Sequence, residues 1–227
     1  MGPSVSGVGV IDKATQVLDA LEEAPRSLSE LVAVTGFSRA TAHRLAVALE
    51  LHGLVRRDEE GRFALGVRLI ALGRAAAEAI PLASAALPAL EALRDETGES
   101  VQLYVRQGDR RVCIAALESP HGLRTIVPMG ASLPLEVGSA GKILSDASNE
   151  SVGTESSPNR RPWVESVGER EAGVASVSAA VAGPDGRALA AVSVSGPIER
   201  TTRQPGRRYG DAVVAAARHI ETAAGLA

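Results

Sequence analysis

The sequence predicts an α+β protein with two domains joined by a helix. Three observations give this prediction. Apolar residues recur at helical spacing between Gly9 and Leu49, and short alternating segments bounded by turn residues dominate from Glu99 onward. An uninterrupted helical stretch lies between these two regions. At 227 residues the chain is long enough for two separate hydrophobic cores.

Three helices are predicted in the first domain. The first covers Gly9–Glu23, where apolar residues fall on one face. Ser27 and Glu30 form a capping box at the start of the second helix, and Gly36 is placed to end it. Ser38 is predicted to cap the third helix. The apolar stripe of that third helix consists of Ala42, Leu45, Ala46 and Leu49.

The segment LVRRDEEGRFALG, which follows the third helix, predicts two short strands around a turn at Asp58–Gly61. Three helices with a tight turn between the last two, followed by a hairpin, form a winged helix-turn-helix. The polar face of the third helix and the hairpin both carry arginines, which are suited to phosphates and base edges of double-stranded DNA. The predicted DNA-binding residues are Ser38, Arg39, Ala40, Thr41, His43, Arg44, Arg56, Arg57 and Arg62.

The overall charge excludes a general electrostatic attraction to nucleic acid or to an anionic membrane. Lys and Arg total 24 against 27 Asp and Glu, so the formal net charge is -3. Any contact with DNA must therefore come from the local arginines. Two other interpretations stay open: a solvated helix face with a self-neutralising RRDEEGR turn, or a winged helix that docks a protein partner.

The second domain is predicted to follow a linker helix, Gly66–Ile80, and to begin with an amphipathic helix, Leu82–Thr97. A hairpin around the turn QGDR follows, and GSAGKILSD predicts a short helix entered through small residues. The polar, turn-rich stretch Ala147–Pro162 predicts a surface loop. The predicted boundaries are 1–65 for the winged domain, 66–80 for the linker helix and 81–227 for the second domain.

The last hairpin places its serines and valines on opposite faces of a sheet. With Pro184 and Asp185 as a two-residue loop, Ser176 lies opposite Ser193, Ser178 opposite Ala191, and Val174 opposite Ser195. Strand alternation then makes the valine face the core side. The hydroxyls of the other face either point to water or line a pocket for a small polar ligand. The serine face comprises Ser176, Ser178, Ser193 and Ser195, and the valine face Val177, Val181, Val192 and Val194.

The remaining sequence signals argue against several other classes of protein. A single cysteine, Cys113, excludes an intrachain disulfide, and its place in an alternating strand predicts a buried residue rather than a redox sensor. No base is arranged with Cys113 or a serine, so an enzyme in the second domain is only an alternative. We expect no metal and no cofactor, because the sequence shows no cluster typical of a metal site and no nucleotide-binding motif. We expect no membrane partner, because no segment approaches the roughly 20 apolar residues that span a bilayer. We expect a cytoplasmic location.

The chain resembles the IclR-type family of bacterial transcriptional regulators. The resemblance covers nearly the whole chain, through GVGVIDKATQVLDAL, SRATAHRLAVALELHGLV, RFALGVRLIALG, GSAGKIL and ALAAVSVSGP. TGES, GEREAGVASVS and AAVSVSGPIER further resemble the branch that controls leucine and other amino-acid biosynthesis. The resemblance implies a winged domain that binds operator DNA as a dimer, and a GAF-like sheet flanked by helices that binds a small effector. The effector positions it implies are Ser139, Ala140, Ser166, Val174, Ser176, Ser193 and Ser195.

Some features of the chain depart from the family pattern. The loop Ala147–Pro162 is shorter than the segment usual there, Pro162 replaces a common glycine, and Ser166 stands where some members carry an acid. The serines and the small helix offer hydrogen-bond donors to a carboxylate, and we expect no fixed positive charge in the pocket. The expected effector is therefore a small carboxylate such as an amino acid or its precursor. We further expect a repressor that forms a homodimer or a tetramer, with Leu69, Ile70 and Leu72 buried between subunits.

Overall fold

The structure, a computed structural model, describes residues 8–145 and 161–226. The chain divides into two compact units, Met1–Ala76 and Ala77–Ala227. Residues 146–160, which make up most of the predicted surface loop, lie outside the described residues.

The first unit contains the three predicted helices, the hairpin and most of a fourth helix. Ser27 caps the second helix, with its Oγ accepting from the Glu30 amide at 3.3 Å while the Glu30 carboxylate accepts from the Ser27 amide at 2.7 Å. Gly36 ends this helix with φ at 68°. The predicted capping box is therefore confirmed. The elements are α1 Gly9–Glu23, α2 Leu28–Thr35, α3 Arg39–Leu51, β1 Val55–Arg57, β2 Phe63–Leu65 and α4 Arg68–Glu78.

A small apolar core joins the three helices to the hairpin. Phe63 of β2 is 1% exposed and packs beside Leu31, which is fully buried. The backbone of Phe63 also exchanges two 2.8 Å hydrogen bonds with Arg26, just before α2. The hairpin is thereby tied to the helices, as a winged helix-turn-helix requires. The core consists of Val17, Ala20, Leu21, Leu31, Ala46, Leu49, Val55 and Phe63.

The second unit consists of helices and a sheet of six strands. Its elements are α5 Pro81–Thr97, β3 Ser100–Gln107, β4 Arg110–Leu117, β5 Ser132–Pro134, α6 Ser139–Leu144, β6 Val164–Val167, β7 Val174–Ala182, β8 Ala188–Pro197, α7 Ile198–Thr201 and α8 Pro205–Ala223. The sheet is antiparallel, with the order β5-β4-β3-β8-β7-β6. Two long helices, α5 and α8, pack their apolar residues on the valine face of this sheet, and the short helix α6 with the segment before it covers part of the other face. The α+β fold class is therefore confirmed.

The register of the β7–β8 hairpin differs from the prediction by two residues. Ser176 lies opposite Ser195, Ser178 opposite Ser193 and Val174 opposite Pro197. The turn adds one residue, because Gly183 donates to the Arg187 carbonyl and leaves a three-residue loop. A bulge between Val181 and Ala182 adds the second residue. A shift of two keeps every side chain on its predicted face, so the serine and valine faces are both as predicted.

Helix α4 presents apolar side chains that the described residues do not cover. Ile70 is 73% exposed, Leu72 is 49% exposed and Leu69 is half-buried, and the helix contains no buried residue. Among the described helices, no single one has the length and apolar content to cross a membrane. Only the pair Arg68–Glu78 and Pro81–Thr97, which is bent by 76°, meets those two criteria when taken together.

Candidate functional site

The exposed face of α3 is the first candidate site. The hydroxyl of Ser38 accepts from the Thr41 amide at 3.3 Å and lies 3.0 Å from the Thr41 hydroxyl, so both side chains hold the start of the helix. Ala40, His43 and Arg44 are exposed beyond this cap. The small Ala40 side chain leaves the helix surface open to close approach by another molecule.

The cations of this face differ in how firmly they are held. Arg39 donates to the Ser29 hydroxyl at 3.4 Å. Arg44 and His43 form no hydrogen bond or ion pair with any described residue. Their side chains are therefore available to hydrogen-bond an incoming ligand without first breaking a contact within the protein.

The three hairpin arginines are not equivalent either. Arg62 pairs with Asp58 at 2.8 Å and with Glu60 at 3.1 Å, so its charge is largely neutralised within the turn. Arg57 lies 4.0 Å from the centre of the Phe63 ring and donates to the Gly61 carbonyl at 2.9 Å. Only Arg56 of the three has neither an acidic partner nor an aromatic one among the described residues.

Asp58 holds the hairpin turn in shape. Its carboxylate accepts from the Glu60 and Arg62 amides and from the Arg62 guanidinium. Desolvation favours the neutral acid, but these hydrogen bonds outweigh it and lower the pKa of Asp58. Asp58 therefore stays charged at neutral pH. The self-neutralising interpretation of RRDEEGR thus applies to Arg62 and not to Arg56.

A cavity on the serine face of the second unit is the second candidate site. It has a volume of about 30 Å³ and lies where α6 crosses β7 and β8. The structure brings all seven predicted effector residues to its wall, from four separate elements. These residues are Ser139, Ala140, Ser166, Val174, Ser176, Ser193 and Ser195.

The serines of the cavity are linked to one another and to the sheet. The Ser139 hydroxyl lies 2.8 Å from that of Ser176 and 2.7 Å from that of Ser178, so it joins α6 to β7. Ser195 donates to the side-chain oxygen of Gln102 at 3.0 Å. Ser193 makes a long contact of 3.5 Å to the Val177 carbonyl. Ser193 is therefore the least firmly bonded hydroxyl of this group.

The expectation of a pocket without a fixed positive charge is wrong. Arg111 of β4 lines the cavity and is only 3% exposed, and Arg170 lines it as well. Strand alternation turns Arg111 to the same face as the buried Cys113, and the pairing of β4 with β3 carries this face to the serines. No pattern in β7, β8 or α6 indicates this charge, because β4 contributes it from a distant part of the chain.

Glu169 and Lys142 form a bridge beside the cavity. Lys142 donates to one carboxylate oxygen of Glu169, and the Gly138 amide donates to the other at 3.2 Å. Partial burial favours the neutral acid, but these two hydrogen bonds outweigh it and hold the pKa of Glu169 below its usual range. Ser166 also donates to Glu169. An acid thus lies beside Ser166 although Ser166 itself is not acidic.

A larger cleft adjoins the cavity. Its volume is about 430 Å³, and it shares Glu171 and Val174 with the cavity wall. The hydroxyl of Thr125, which also lines this cleft, is buried and finds no hydrogen-bond partner within residues 8–145 and 161–226. A volume of this size falls in the range of sites for small molecules.

Cys113 is buried, as predicted, and is not positioned as a reactive thiol. Its side chain is fully covered, and burial raises the pKa of the thiol to about 12. A thiol with so high a pKa is a poor nucleophile at neutral pH. In residues 8–145 and 161–226, no cluster of three His, Cys, Asp or Glu side chains could hold a metal ion.

Several residues of the cavity wall were not predicted from the sequence. Arg111 carried a usable signal, because an arginine two positions before a cysteine predicted to be buried shares its face. Val127 and the Arg170–Glu171 pair lie in loops, where no periodicity indicates direction. The lining residues that were missed are Gln102, Tyr104, Arg111, Val127, Gly138, Arg170 and Glu171.

Both units match known family models. Residues 10–59 match the IclR helix-turn-helix domain. Residues 74–156 and 159–222 match the C-terminal domain of the bacterial transcriptional regulator IclR. The two matches together account for most of the chain.

Curated relatives and solved structures agree with these matches. The transcriptional repressor IclR of Escherichia coli is 27% identical, with 98% of this chain and 92% of that protein covered. The regulator KipR of Bacillus subtilis is 32% identical, with 56% of this chain and 51% of that protein covered. An IclR regulator from Alicyclobacillus acidocaldarius shares the fold with a TM-score of 0.77 at 23% identity, covering 96% of this chain and 99% of that one. An IclR homologue from Microbacterium hydrocarbonoxydans, solved with 4-hydroxybenzoate, does so with a TM-score of 0.73 at 20% identity, covering 96% of this chain and 100% of that one. The chain therefore belongs to the IclR family of DNA-binding transcriptional regulators.

Proposed function

We propose that this protein is a repressor that binds operator DNA through α3 and its hairpin and releases or tightens that binding when a small carboxylate occupies the second unit. The observation that carries the DNA-binding part is the exposed face of α3. Arg44 and His43 have no partner among the described residues there, next to a small residue that permits close approach.

The predicted DNA contacts divide by what each side chain can reach. Arg39, Arg44 and His43 lie on α3, and the recognition helix of a winged helix-turn-helix enters the major groove. We assign base reading to Arg44, because a free guanidinium suits the two acceptors of a guanine edge. We assign phosphate contacts to Arg56 and Arg57 of the hairpin. We place Ala40 where α3 approaches the DNA most closely, and Ser38, Thr41 and Arg62 at the edges of the surface.

We infer a dimer from the short length of operator DNA that one winged domain can contact. A single domain covers too short a stretch of DNA, and regulators of this type meet two half-sites with two subunits. Helix α4 offers Leu69, Ile70 and Leu72 for such an interface, and its apolar side chains are left uncovered by the described residues. We therefore propose a homodimer, with a tetramer as the next assembly.

The effector part of the proposal rests on the serine cavity. Its seven predicted residues surround one space, and its hydroxyl groups can donate to a carboxylate. The structural neighbour from Microbacterium hydrocarbonoxydans is complexed with 4-hydroxybenzoate, itself a small carboxylate. We propose genes of amino-acid biosynthesis as the target on the shared motifs TGES and AAVSVSGPIER alone.

The proposal is tested by binding of the purified protein to the DNA upstream of its own gene. Specific binding should weaken steeply with salt, because each phosphate contact releases counterions. A panel of branched-chain and aromatic amino acids and their precursors should contain a compound that shifts this binding and raises the melting temperature. At a hundredfold excess over its Kd, such a compound stabilises the protein by about 2.7 kcal/mol.

The test variant is the double substitution S193A and S195A. The control is S84A, which alters an exposed serine of α5. The double variant should lose the response to the effector and keep DNA binding. DNA binding that is weak and equal for all sequences would refute the operator proposal. A flat response to the whole panel, with specific DNA binding intact, would refute the effector proposal.

A further inference from the structure

Arg111 is a buried cation without an acidic partner. The residue is 3% exposed, and no carboxylate of the described residues lies within ion-pair distance of its guanidinium. Its Nη1 donates to the carbonyl oxygens of Pro134 and Val137, the latter at 2.8 Å. Its Nε is buried and has no hydrogen-bond partner in the part of the chain that the structure describes. Burying a charge is costly unless the charge is paired, so this arrangement requires a reason beyond stability.

The groups around Arg111 compensate its charge only in part. The ring of Tyr104 lies 5.5 Å from the guanidinium and supplies a weak attraction. Arg170 is a second cation on the same wall, and it is paired at 3.4 Å with Glu171. Burial lowers the pKa of Arg111 and Arg170 lowers it further, while the charge of Glu136, which forms no ion pair with Arg111, acts against this. Among the described residues that line the cavity there are thus two guanidinium groups and one carboxylate, and no carboxylate is paired with Arg111.

The GSAGK segment is shaped around this guanidinium. A Cβ atom at Gly141 would overlap both Arg111 Nη1 and the Leu135 carbonyl, and one at Gly138, where φ is 83°, would lie 3.1 Å from Nη2. Both glycines therefore leave space that the guanidinium occupies, although the backbone around them requires glycine as well. The buried cation is thus built into the site by residues on two separate elements.

The dimensions of the cavity fit the charged end of a ligand. A volume of about 30 Å³ has room for about two water-sized groups. A carboxylate has two oxygens, and guanidinium groups bind carboxylates through paired hydrogen bonds. Ser193 and Ser195 line the same small space and can donate to the ligand.

We propose that Arg111 binds the carboxylate of the effector and selects for ligands that carry no compensating ammonium group. This inference rests on the proposed function of the second unit as an effector domain. A simple carboxylate neutralises the unmatched cation of the cavity. A zwitterionic amino acid brings its own ammonium group beside Arg111 and Arg170, and a neutral amide leaves Arg111 unpaired.

The test uses three matched trios in which only the charged group changes. They are acetate, glycine and acetamide; isocaproate, leucine and isocaproamide; and hydrocinnamate, phenylalanine and hydrocinnamamide. Calorimetric titration at constant ionic strength gives the Kd of each compound for the full-length protein. In the trio that binds most tightly, the Kd of the acid should be at least tenfold below those of the amino acid and the amide.

The variants are R111M, which removes the charge, and R111K, which keeps the charge without the planar fork. R111M should lose at least tenfold in affinity for the acid and no longer prefer it to the amide. R111K should retain part of the preference. R110M is the control, because Arg110 is exposed and donates only to Ser132. Urea unfolding of each variant checks that it is folded.

Three results would overturn the proposal. They are the absence of saturable binding by any of the acids, equal binding of acid and amide to the wild type, and an unchanged preference in folded R111M. If Arg111 only anchors the carbonyls of Pro134 and Val137, R111M lowers the melting temperature and leaves the ratio of acid to amide affinity unchanged.

Operator binding measured on the same samples separates this inference from the proposed function. An effector response of equal size in the wild type and R111M supports the regulator and refutes the role of Arg111. A preference for acids that depends on Arg111, in a protein that does not discriminate operator DNA, supports the role of Arg111 and refutes the regulator.

Discussion

Arg200 donates two hydrogen bonds to the buried carboxylate of Glu99, one from Nε and one from Nη2, each 2.8 Å long. Glu99 belongs to the TGES segment, and Arg200, 101 positions later, belongs to SGPIER. Gly196, also in SGPIER, packs against Glu99, because a Cβ atom there would overlap the Glu99 carboxylate. The hydrogen bonds to Glu99 raise the pKa of Arg200. These two sequence motifs are therefore parts of one structural contact.

Removing Glu99 should strongly destabilise the second unit. Glu99 is 2% exposed while Arg200 is partly open to solvent, so E99A should cost about 3 kcal/mol, the low end of the range for breaking a buried pair. Urea unfolding measures this loss. E91A, at an exposed position of α5, is the control. A loss below that of E91A would show that the pair contributes no stability.

R44A should abolish discrimination between operator and unrelated DNA while the protein stays folded. Arg44 is exposed and unpaired among the described residues, so its loss removes no internal contact. Loss of a good base contact costs roughly 1–3 kcal/mol against the correct sequence. Fluorescence anisotropy with operator and scrambled DNA measures the difference. Unchanged affinity and sequence preference would exclude α3 as the element that reads the bases.

R56A should weaken binding to all DNA sequences by a similar factor and flatten the salt dependence by one phosphate contact. R57A should also lower the melting temperature, because Arg57 stacks on Phe63 at 4.0 Å and holds the Gly61 carbonyl. Salt titrations and thermal unfolding of both variants test this. A loss confined to one operator base would contradict a phosphate role for Arg56.

Charges placed on α4 should separate the subunits. The double variant I70E and L72E replaces side chains that are 73% and 49% exposed in the single chain. If these side chains are buried between subunits, two carboxylates there are costly. Sedimentation equilibrium should show a monomer at micromolar concentration for this variant and an oligomer for the wild type. L189E, which alters an exposed leucine of β8, should remain oligomeric.

The thiol of Cys113 should make stability depend on alkaline pH. Its pKa is about 12 in the folded protein and 9.0 in an ordinary chain, so the folded state holds the proton more tightly. The associated stability is complete below pH 9 and is lost as the pH rises toward 12. Urea midpoints of the wild type should therefore fall more steeply than those of C113A over this interval. Parallel curves would contradict the raised pKa.

The helices of the first unit could be predicted from the sequence because the forces that define them act over a few residues. Ser27 and Glu30 form their capping box within one turn, and the stripe of α3 repeats at helical spacing. Strand alternation likewise separates the serines from the valines within each strand, without knowledge of the partner strand.

The register of β7 on β8 could not be predicted in the same way. A three-residue turn and a bulge each move the pairing by one residue. Gly186, with φ at 76°, is typical of such a turn, but the bulge leaves no clear mark in the sequence. The faces were predicted correctly because the two shifts add to an even number. The pairing of Ser176 directly opposite Ser195 was not predicted.

The sequence by itself determined the helices of the first unit, which hydroxyls share a sheet face and which arginines lie on the polar side of α3, whereas α8 was not predicted. Only the tertiary structure decided which charges enter the serine cavity. Arg111 reaches it because β4 pairs with β3, which pairs with β8, and because Gly138 and Gly141 leave room for its guanidinium. Such an environment is set by residues far apart in the chain, and local patterns do not encode those distances.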